Sequence, residues 1–143
     1  MVVHSRSVTG RGQSHHVDVP RCHALHSLMV LITNQAHERG PTTLYFSPDG
    51  KFAYTGGSDT LVRIWRTDKG ADQEPEVATD ASEGVTSLSA SKTNWLSASE
   101  DGDVRLYNAG QSDLQGIVTN AAGVGVRSVA VDPKGKRVAI TSE

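Results

Sequence analysis

The chain has 143 residues, a formal net charge of −2, and 36% hydrophobic and 21% charged residues. This length predicts one domain, and the composition is that of an ordinary soluble protein, which excludes a membrane-spanning or disordered chain. The near-neutral charge gives no bulk attraction to nucleic acid, and the single cysteine, Cys22, rules out an internal disulfide framework.

Residues 1–35 predict an irregular or disordered N-terminal extension. Cys22, His23 and His26 are residue types that bind zinc, but a structural zinc site needs four ligands at short spacings, and no second ligand pair follows. The apolar run at residues 27–32 is much shorter than the roughly 20 residues that span a bilayer. We therefore predict neither a metal site nor a membrane anchor here. The arginines and serines of the segment leave an organelle transit peptide as an alternative.

Short apolar runs joined by tight turns begin just after this extension. Residues 42–57 contain two such runs, separated by Pro48-Asp49-Gly50, which is strong turn chemistry. A second turn at Asp59-Thr60 precedes the alternating run at residues 61–65. Three strands connected in this way predict an antiparallel meander.

The same plan recurs along the chain at an offset of 42 residues. A second meander covers residues 85–107 and contains the hairpin signal Asp101-Gly102. A third meander begins at residues 126–141, and residues 74–79 and 115–120 fit a weaker fourth strand for each of the first two units. Four short strands at this period predict a repeat architecture.

The segments "TGGSDTLVRIW" and "SASEDGDVRLY" resemble the ending of a WD-repeat propeller blade, with an aspartate turn followed by an aromatic residue. The resemblance implies an all-β fold, an incomplete WD-repeat β-propeller of about two and a half four-stranded antiparallel blades. The partial propeller is expected over residues 36–143, with blades at residues 40–79 and 84–120 and the start of a third at residues 125–143.

The resemblance also implies a hydrogen-bond network within each blade. In that family the turn aspartate and a serine or threonine one strand back bond each other and the indole of the aromatic residue, often through a histidine. The residues that match these structural roles are Thr55, Asp59 and Trp65 in the first unit and Ser97, Asp101 and Tyr107 in the second. The Gly-His pair that usually opens a repeat is replaced by Gly40-Pro41, Gly84-Val85 and Gly125-Val126. We therefore expect incomplete networks without histidine, the alternative being that the two aspartates are only turn residues.

A narrower resemblance appears when the first unit is read with its lead-in. The segment "AHERGPTTLYFSPDGKFAYTGGSDTLVRIWRT" resembles the start of the N-terminal propeller in the DNA-polymerase-alpha-associated WD-repeat adaptors, the replisome and sister-chromatid-cohesion scaffolds, particularly the fungal ones. The lead-in from Ala36 to Thr42 is its most specific part. The resemblance implies a nuclear, non-catalytic protein scaffold that links the replicative helicase to DNA polymerase alpha, with any oligomerisation through regions outside this chain.

A generic WD-repeat adaptor is the alternative function, such as a ubiquitin-ligase substrate receptor or a cytoplasmic assembly factor. An enzyme is disfavoured because residues 41–143 contain no histidine, no cysteine and no glycine-rich phosphate loop before a helix. We predict no catalytic residues, cofactor or metal. Direct nucleic-acid binding is also disfavoured, since residues 41–143 hold 10 Lys and Arg against 14 Asp and Glu. The acidic stretch at residues 72–83 is either a solvated loop or a contact for a basic partner.

An incomplete propeller ring predicts uncovered strand edges and blade faces. Because the third unit stops before its aspartate turn, we expect the chain to be a fragment that is aggregation-prone or loosely folded when isolated. We expect Val62, Ile64, Val129 and Val131 to contribute to the exposed surface.

Overall fold

The computed structural model describes residues 37–69, 74–78, 81–119 and 124–142. The extension predicted at residues 1–35 lies outside these residues, as do the zinc and transit-peptide alternatives considered for it. The described residues contain no helix that is long and apolar enough to cross a membrane. They form ten strands: β1 (Pro41–Phe46), β2 (Phe52–Gly57), β3 (Val62–Arg66), β4 (Glu76–Ala78), β5 (Val85–Ala90), β6 (Asn94–Ser99), β7 (Asp103–Asn108), β8 (Leu114–Thr119), β9 (Val126–Val131) and β10 (Val138–Ser142).

The strands form three antiparallel sheets in which neighbours in space are neighbours along the chain. Strands β1 to β4 make the first sheet, β5 to β8 make the second, and β9 pairs with β10 in the third. We call these sheets blade 1, blade 2 and blade 3. The predicted all-β architecture, a partial propeller of four-stranded antiparallel blades, is confirmed.

Side-chain chemistry closes the first hairpin turn of blade 1. The Ser47 hydroxyl donates to Asp49 Oδ1 at 2.7 Å and accepts from the Phe52 amide at 2.9 Å. Gly50 has a φ of +70°, a left-handed conformation that glycine adopts without steric cost. In blade 3 the Asp132 carboxylate accepts from two backbone amides of its own turn. The turn at Pro48-Asp49-Gly50 lies where the sequence predicts it.

An aromatic stack joins blade 1 to blade 2. The ring centroids of Tyr54 and Trp95 lie 5.1 Å apart, and those of Trp95 and Tyr107 lie 4.0 Å apart with an interplanar angle of 7°. The Trp95 indole donates to Gln111 O at 2.9 Å, and the Tyr54 hydroxyl accepts from the Gly110 amide at 3.2 Å. The polar ends of these rings are therefore satisfied although the rings are buried.

Aliphatic side chains complete the contacts between the blades. The core between blades 1 and 2 contains Val62, Ile64, Ala78, Val85, Leu88 and Ala90 in addition to the aromatic residues. The core between blades 2 and 3 contains Leu96, Ala98, Val104, Val126 and Val129. Successive blades thus bury their facing surfaces against each other, which is the packing that a propeller requires.

The expectation that Val62, Ile64 and Val129 contribute to the exposed surface is wrong. Their exposed fractions are 3%, 3% and 4%, because each side chain faces a neighbouring blade within the described chain. Val131 is half-buried against the core between blades 2 and 3. The exposed apolar side chains lie instead on the first and last strands, at Leu44, Tyr45, Val138 and Ile140, and on the outer strands, at Val77, Leu114, Ile117 and Val118.

Threonine hydroxyls link the innermost strands of successive blades. Thr86 Oγ1 lies 2.6 Å from Val126 O in the next blade and 3.2 Å from Ala98 O in its own blade, so its single proton is shared. Thr42 makes the corresponding pair of hydrogen bonds, to Val85 O and Gly56 O. Both threonines sit at an irregularity in the pairing of the first two strands of their blade. The innermost strands therefore lie side by side.

Candidate functional site: the aspartate networks of the blades

The turn between β2 and β3 positions Asp59. Thr60 is the only described non-glycine residue with a positive φ, at 70°, and its amide donates to Gly57 O at 3.3 Å. Asp59 Oδ1 also accepts from the Leu61 amide at 3.3 Å. The carboxylate is therefore directed back toward the blade, and the Asp59 side chain is only 7% exposed.

The carboxylate of Asp59 belongs to a four-membered chain of hydrogen bonds in blade 1. His37 Nδ1 lies 2.7 Å from Asp59 Oδ1, and His37 Nε2 lies 3.0 Å from Thr55 Oγ1. The Trp65 indole donates to the same Thr55 oxygen at 3.0 Å. The structure thus brings Thr55, Asp59 and Trp65 together around a histidine.

The acceptor at one end of this chain places a proton on His37 Nδ1. A carboxylate oxygen only accepts, so the contact with Asp59 Oδ1 requires a donating Nδ1–H. The indole N–H of Trp65 donates to the Thr55 oxygen, and Thr55 in turn faces His37 Nε2. The arrangement therefore rigidifies the start of the blade.

The expectation that the network of blade 1 lacks a histidine is wrong. His37 is three residues before Gly40 rather than directly after a glycine, so the usual Gly-His spacing does not find it. Gly57 makes room for it, because a Cβ built on Gly57 would lie 2.3 Å from His37 Nδ1. The useful signal was the lead-in from Ala36 to Thr42, whose histidine the sequence reasoning did not connect to the aspartate.

Sequence reasoning also missed an arginine four residues after each turn aspartate. Arg63 Nη1 donates to Asp59 Oδ2 at 3.0 Å and lies 2.8 Å from His37 Nδ1. Arg105 Nη2 donates to Asp101 Oδ2 at 2.8 Å in blade 2. The identical offset of Asp59-Arg63 and Asp101-Arg105 in the sequence is the signal that could have identified these pairs.

Blade 2 has a different network around Asp101. The Ser99 hydroxyl donates to Asp101 Oδ1, and Arg105 Nη1 donates to the Ser99 oxygen at 3.0 Å. The Ser82 amide and hydroxyl donate to Asp101 Oδ2 at 2.9 and 3.1 Å. Ser99 is the counterpart of Gly57 in the repeat, so its hydroxyl takes the place that the His37 imidazole has in blade 1.

The predicted members Ser97 and Tyr107 lie elsewhere in blade 2. Ser97 is buried and pairs with Arg105 across the sheet, but the side-chain hydroxyl next to Asp101 is that of Ser99. Tyr107 is buried in the aromatic stack against Trp95. The indole of blade 2 comes from the second strand, whereas Trp65 of blade 1 lies on the third, so a direct transfer of the Trp65 role to Tyr107 does not describe the geometry.

Burial and hydrogen bonding act in opposite directions on the two aspartates. Burial by itself raises the pKa of Asp59, but hydrogen bonds from His37 and Arg63 outweigh it and lower the pKa below its usual value. The same balance holds the pKa of Asp101 well below its usual range, with Arg105 and Ser99 as the main donors. Burial is the largest single effect on Arg105 and lowers its pKa, but the hydrogen bond with Asp101 and the charges of Asp101 and Asp103 together raise the pKa above its usual value. Both carboxylates are therefore ionised and fully engaged.

These networks have the chemistry of structural ties. A catalytic acid or base must have a face available to a substrate, whereas the donors around Asp59 and Asp101 come from their own blade and the adjoining connection. Within the described ranges, no group of three or more His, Cys, Asp and Glu residues could hold a metal ion. The arrangement fixes strand ends and leaves the blade surfaces to contact other molecules.

Comparisons with known proteins agree with the propeller fold. Minichromosome loss protein 1 of Schizosaccharomyces pombe is 28% identical over 113 residues, which are 79% of this chain and 14% of that relative. The Cps50 (Swd1) β-propeller domain of Myceliophteria thermophila superposes with a TM-score of 0.63 at 22% identity, covering 72% of this chain and 33% of that one. This structural likeness shows the propeller fold alone.

A family model supports the same fold at the level of the repeats. The model described as "WD domain, G-beta repeat" matches residues 28–66 and 76–108, together about half of the chain. Propellers of this kind are generally non-catalytic scaffolds that bind proteins. The chain belongs to the WD domain, G-beta repeat family.

Proposed function

We propose that this chain contributes propeller blades to a nuclear protein-interaction scaffold that acts in DNA replication and sister-chromatid cohesion. Its partners in this role are replication factors, namely DNA polymerase alpha and the replicative helicase. The chain spans only 14% of the length of the curated relative described above. The scaffold role therefore belongs to the whole protein, and the blades described here supply part of its surface.

The lead-in from Ala36 to Thr42 carries this proposal. It is the part of the chain that resembles the replisome adaptors rather than WD repeats in general, and its His37 is built into the network of blade 1. The similarity to a protein whose name refers to minichromosome loss also supports it.

A non-catalytic role is supported by where the polar groups are used. Asp59 and Asp101 are engaged by donors of their own surroundings, and Arg63 and Arg105 are engaged in turn. The buried polar chemistry of the blades therefore maintains shape. Function is left to exposed turns and strand edges, which suits a binding platform.

Affinity purification from replicating cells tests this function. The gene product carrying this chain is tagged, extracts are treated with nuclease to remove bridging DNA, and co-purified proteins are quantified by mass spectrometry against a strain that expresses the tag alone. We expect enrichment of DNA polymerase alpha and helicase subunits. Recovery of ubiquitin-ligase subunits or cytoplasmic assembly factors without any replication factor would instead support the generic WD-repeat adaptor.

A further inference from the structure

Two hairpin turns touch each other at one end of the propeller. The turn between β5 and β6 covers residues 91–93, and the turn between β9 and β10 covers residues 132–137. A Cβ built on Gly135 would lie 2.9 Å from Ser91 Oγ and 3.0 Å from Thr93 Oγ1. The side chains of these two turns therefore project from a single continuous surface.

Four cations are exposed on these turns, namely Lys92, Lys134, Lys136 and Arg137, and we call them the basic turn pair. None of the four forms an ion pair with another described residue. Asp132 is the acidic residue of the two turns; its Oδ1 accepts from the backbone amides of Lys136 and Arg137 at 2.6 and 2.9 Å, and the four cations outnumber it. The positive charge of the basic turn pair is thus available to a ligand.

Acidic residues surround this surface on the outer side of the blades. The Ala109 amide donates to Thr93 O at 2.9 Å, which places the connection between β7 and β8 at the same end as the inner turns. The corresponding bond in blade 1 runs from the Thr67 amide to Lys51 O. The described residues of the two outer connections carry Asp68, Glu74 and Asp113 against Lys69, and Glu76 follows directly at the start of β4. Positive charge is therefore concentrated near the innermost strands.

This segregation of charge selects one class of ligand. A nucleic-acid backbone is charged along its whole length and is bound through many phosphate contacts on an extended basic surface, so it would meet the acidic outer connections. A short acidic peptide can place its carboxylates on the inner turns alone. We propose that the basic turn pair is a docking site for an acidic segment of a partner protein. This inference rests on the proposed scaffold function and adds the chemistry of one partner to it.

Fluorescence anisotropy on the 143-residue chain tests the docking site. The probes are a short fluorescein-labelled peptide of Asp and Glu, and labelled single- and double-stranded DNA. The test variant is Lys92→Glu/Lys134→Glu, and the matched control is Arg39→Glu/Lys69→Glu, which changes the net charge equally at exposed positions elsewhere. We expect the wild type to bind the peptide saturably, the test variant to bind it roughly tenfold more weakly, and the control to stay within about twofold.

Two further measurements keep this outcome interpretable. Circular dichroism melts should coincide for the two variants, and Lys92→Arg/Lys134→Arg should retain the affinity because it keeps both charges. Equal weakening in test and control variants, tighter binding of either DNA than of the peptide, or no saturable peptide binding by the wild type would each overturn the inference. None of these results depends on which proteins co-purify from cells, so the scaffold function is tested separately.

Discussion

Replacement of Asp101 with alanine should be among the most destabilising single changes in the described chain. Its carboxylate accepts from the Ser99 hydroxyl, from Ser82, from the Asp103 amide and from Arg105. The Asp101 and Arg105 side chains are 8% and 6% exposed. Alanine at this position leaves the buried Arg105 guanidinium with only the longer contact to Asp103, at 3.4 Å, as a counter-charge.

The exposed pair Arg66–Asp68 supplies the matched comparison. Its nitrogen–oxygen distance is 2.7 Å against 2.8 Å in the buried pair, but its side chains are 56% and 60% exposed. Breaking a buried pair by removing one partner costs about 3–5 kcal/mol, whereas solvent screens an exposed pair, so that its removal changes stability little. We therefore expect Asp101→Ala to lower the free energy of unfolding by several-fold more than Asp68→Ala.

Urea denaturation followed by tryptophan fluorescence measures the difference, since Trp95 is buried next to blade 2's network strands and reports on their unfolding. A second variant, Asp101→Ala/Arg105→Met, removes both charges of the pair. It should recover part of the unfolding free energy that Asp101→Ala loses, because no buried charge is left without its partner. If Asp101→Ala and Asp68→Ala shift the urea midpoint equally, burial does not determine the strength of these pairs and the structural role of Asp101 is refuted.

Three further predictions concern the networks. Replacing His37 with alanine removes one hydrogen-bond partner from Asp59 and one from Thr55, and should lower the free energy of unfolding by about 1–3 kcal/mol in the same assay. An unchanged urea midpoint would contradict the place of His37 in the network. Gly57→Ala should destabilise the chain because the added Cβ would lie 2.3 Å from His37 Nδ1. The control Gly116→Ala, with nothing within 4 Å of its Cβ, should change stability by less than about 0.5 kcal/mol. Equal effects of the two variants would show that Gly57 does not make room for the imidazole ring. Because the folded-state pKa values of both aspartates are lowered, the stability they contribute is present above their unfolded pKa of about 3.9 and is lost as pH falls below it. The urea concentration at the midpoint should therefore fall as the pH is lowered from about 5 to about 2, and it should fall less steeply in Asp101→Asn. If the curves of midpoint against pH are parallel for the wild type and Asp101→Asn, a contribution from Asp101 is ruled out.

The strand plan could be predicted because turn chemistry is local. Pro48-Asp49-Gly50 and Asp101-Gly102 restrict the backbone of their own residues, and strands follow on either side whatever else they contact. The period of the units then identifies the repeat, since it compares the chain with itself. The turns and the repeat period can therefore be predicted without knowing how the blades pack.

The packing could not be predicted from the same local signals. An incomplete ring predicts that Val62 and Ile64 are exposed, because one face of a terminal blade lacks a neighbour. Which face of blade 1 is covered depends on the side on which the next blade packs. The structure places blade 2 against them. The aromatic stack of Tyr54, Trp95 and Tyr107 could not be predicted for the same reason, because Tyr54 belongs to blade 1 and the other two residues belong to blade 2.

The sequence predicted the network residues that lie within one hairpin but missed those whose position depends on other parts of the chain. Thr55 and Trp65 lie on neighbouring strands of one blade and Asp59 lies in the turn between those strands, so their relative positions follow from the hairpin. His37 enters from the lead-in, 22 residues from Asp59, and its position depends on the path of the chain before β1. In blade 2 the substitution of Ser99 for Gly57 changes which side chain can reach the aspartate, and a comparison by position alone assigned that role to Ser97.

His37 connects the lead-in, on which the proposed function rests, to the fold of blade 1. Its tautomer is therefore the property to measure, by long-range proton–nitrogen correlation NMR of the imidazole, with the signals assigned by their loss in His37→Ala. The structure predicts a proton held on Nδ1, where it is donated to the Asp59 carboxylate, with Nε2 facing Thr55. A ring that carries its proton only on Nε2, or that averages between tautomers as an exposed histidine does, would contradict the placement of His37 in the network of blade 1.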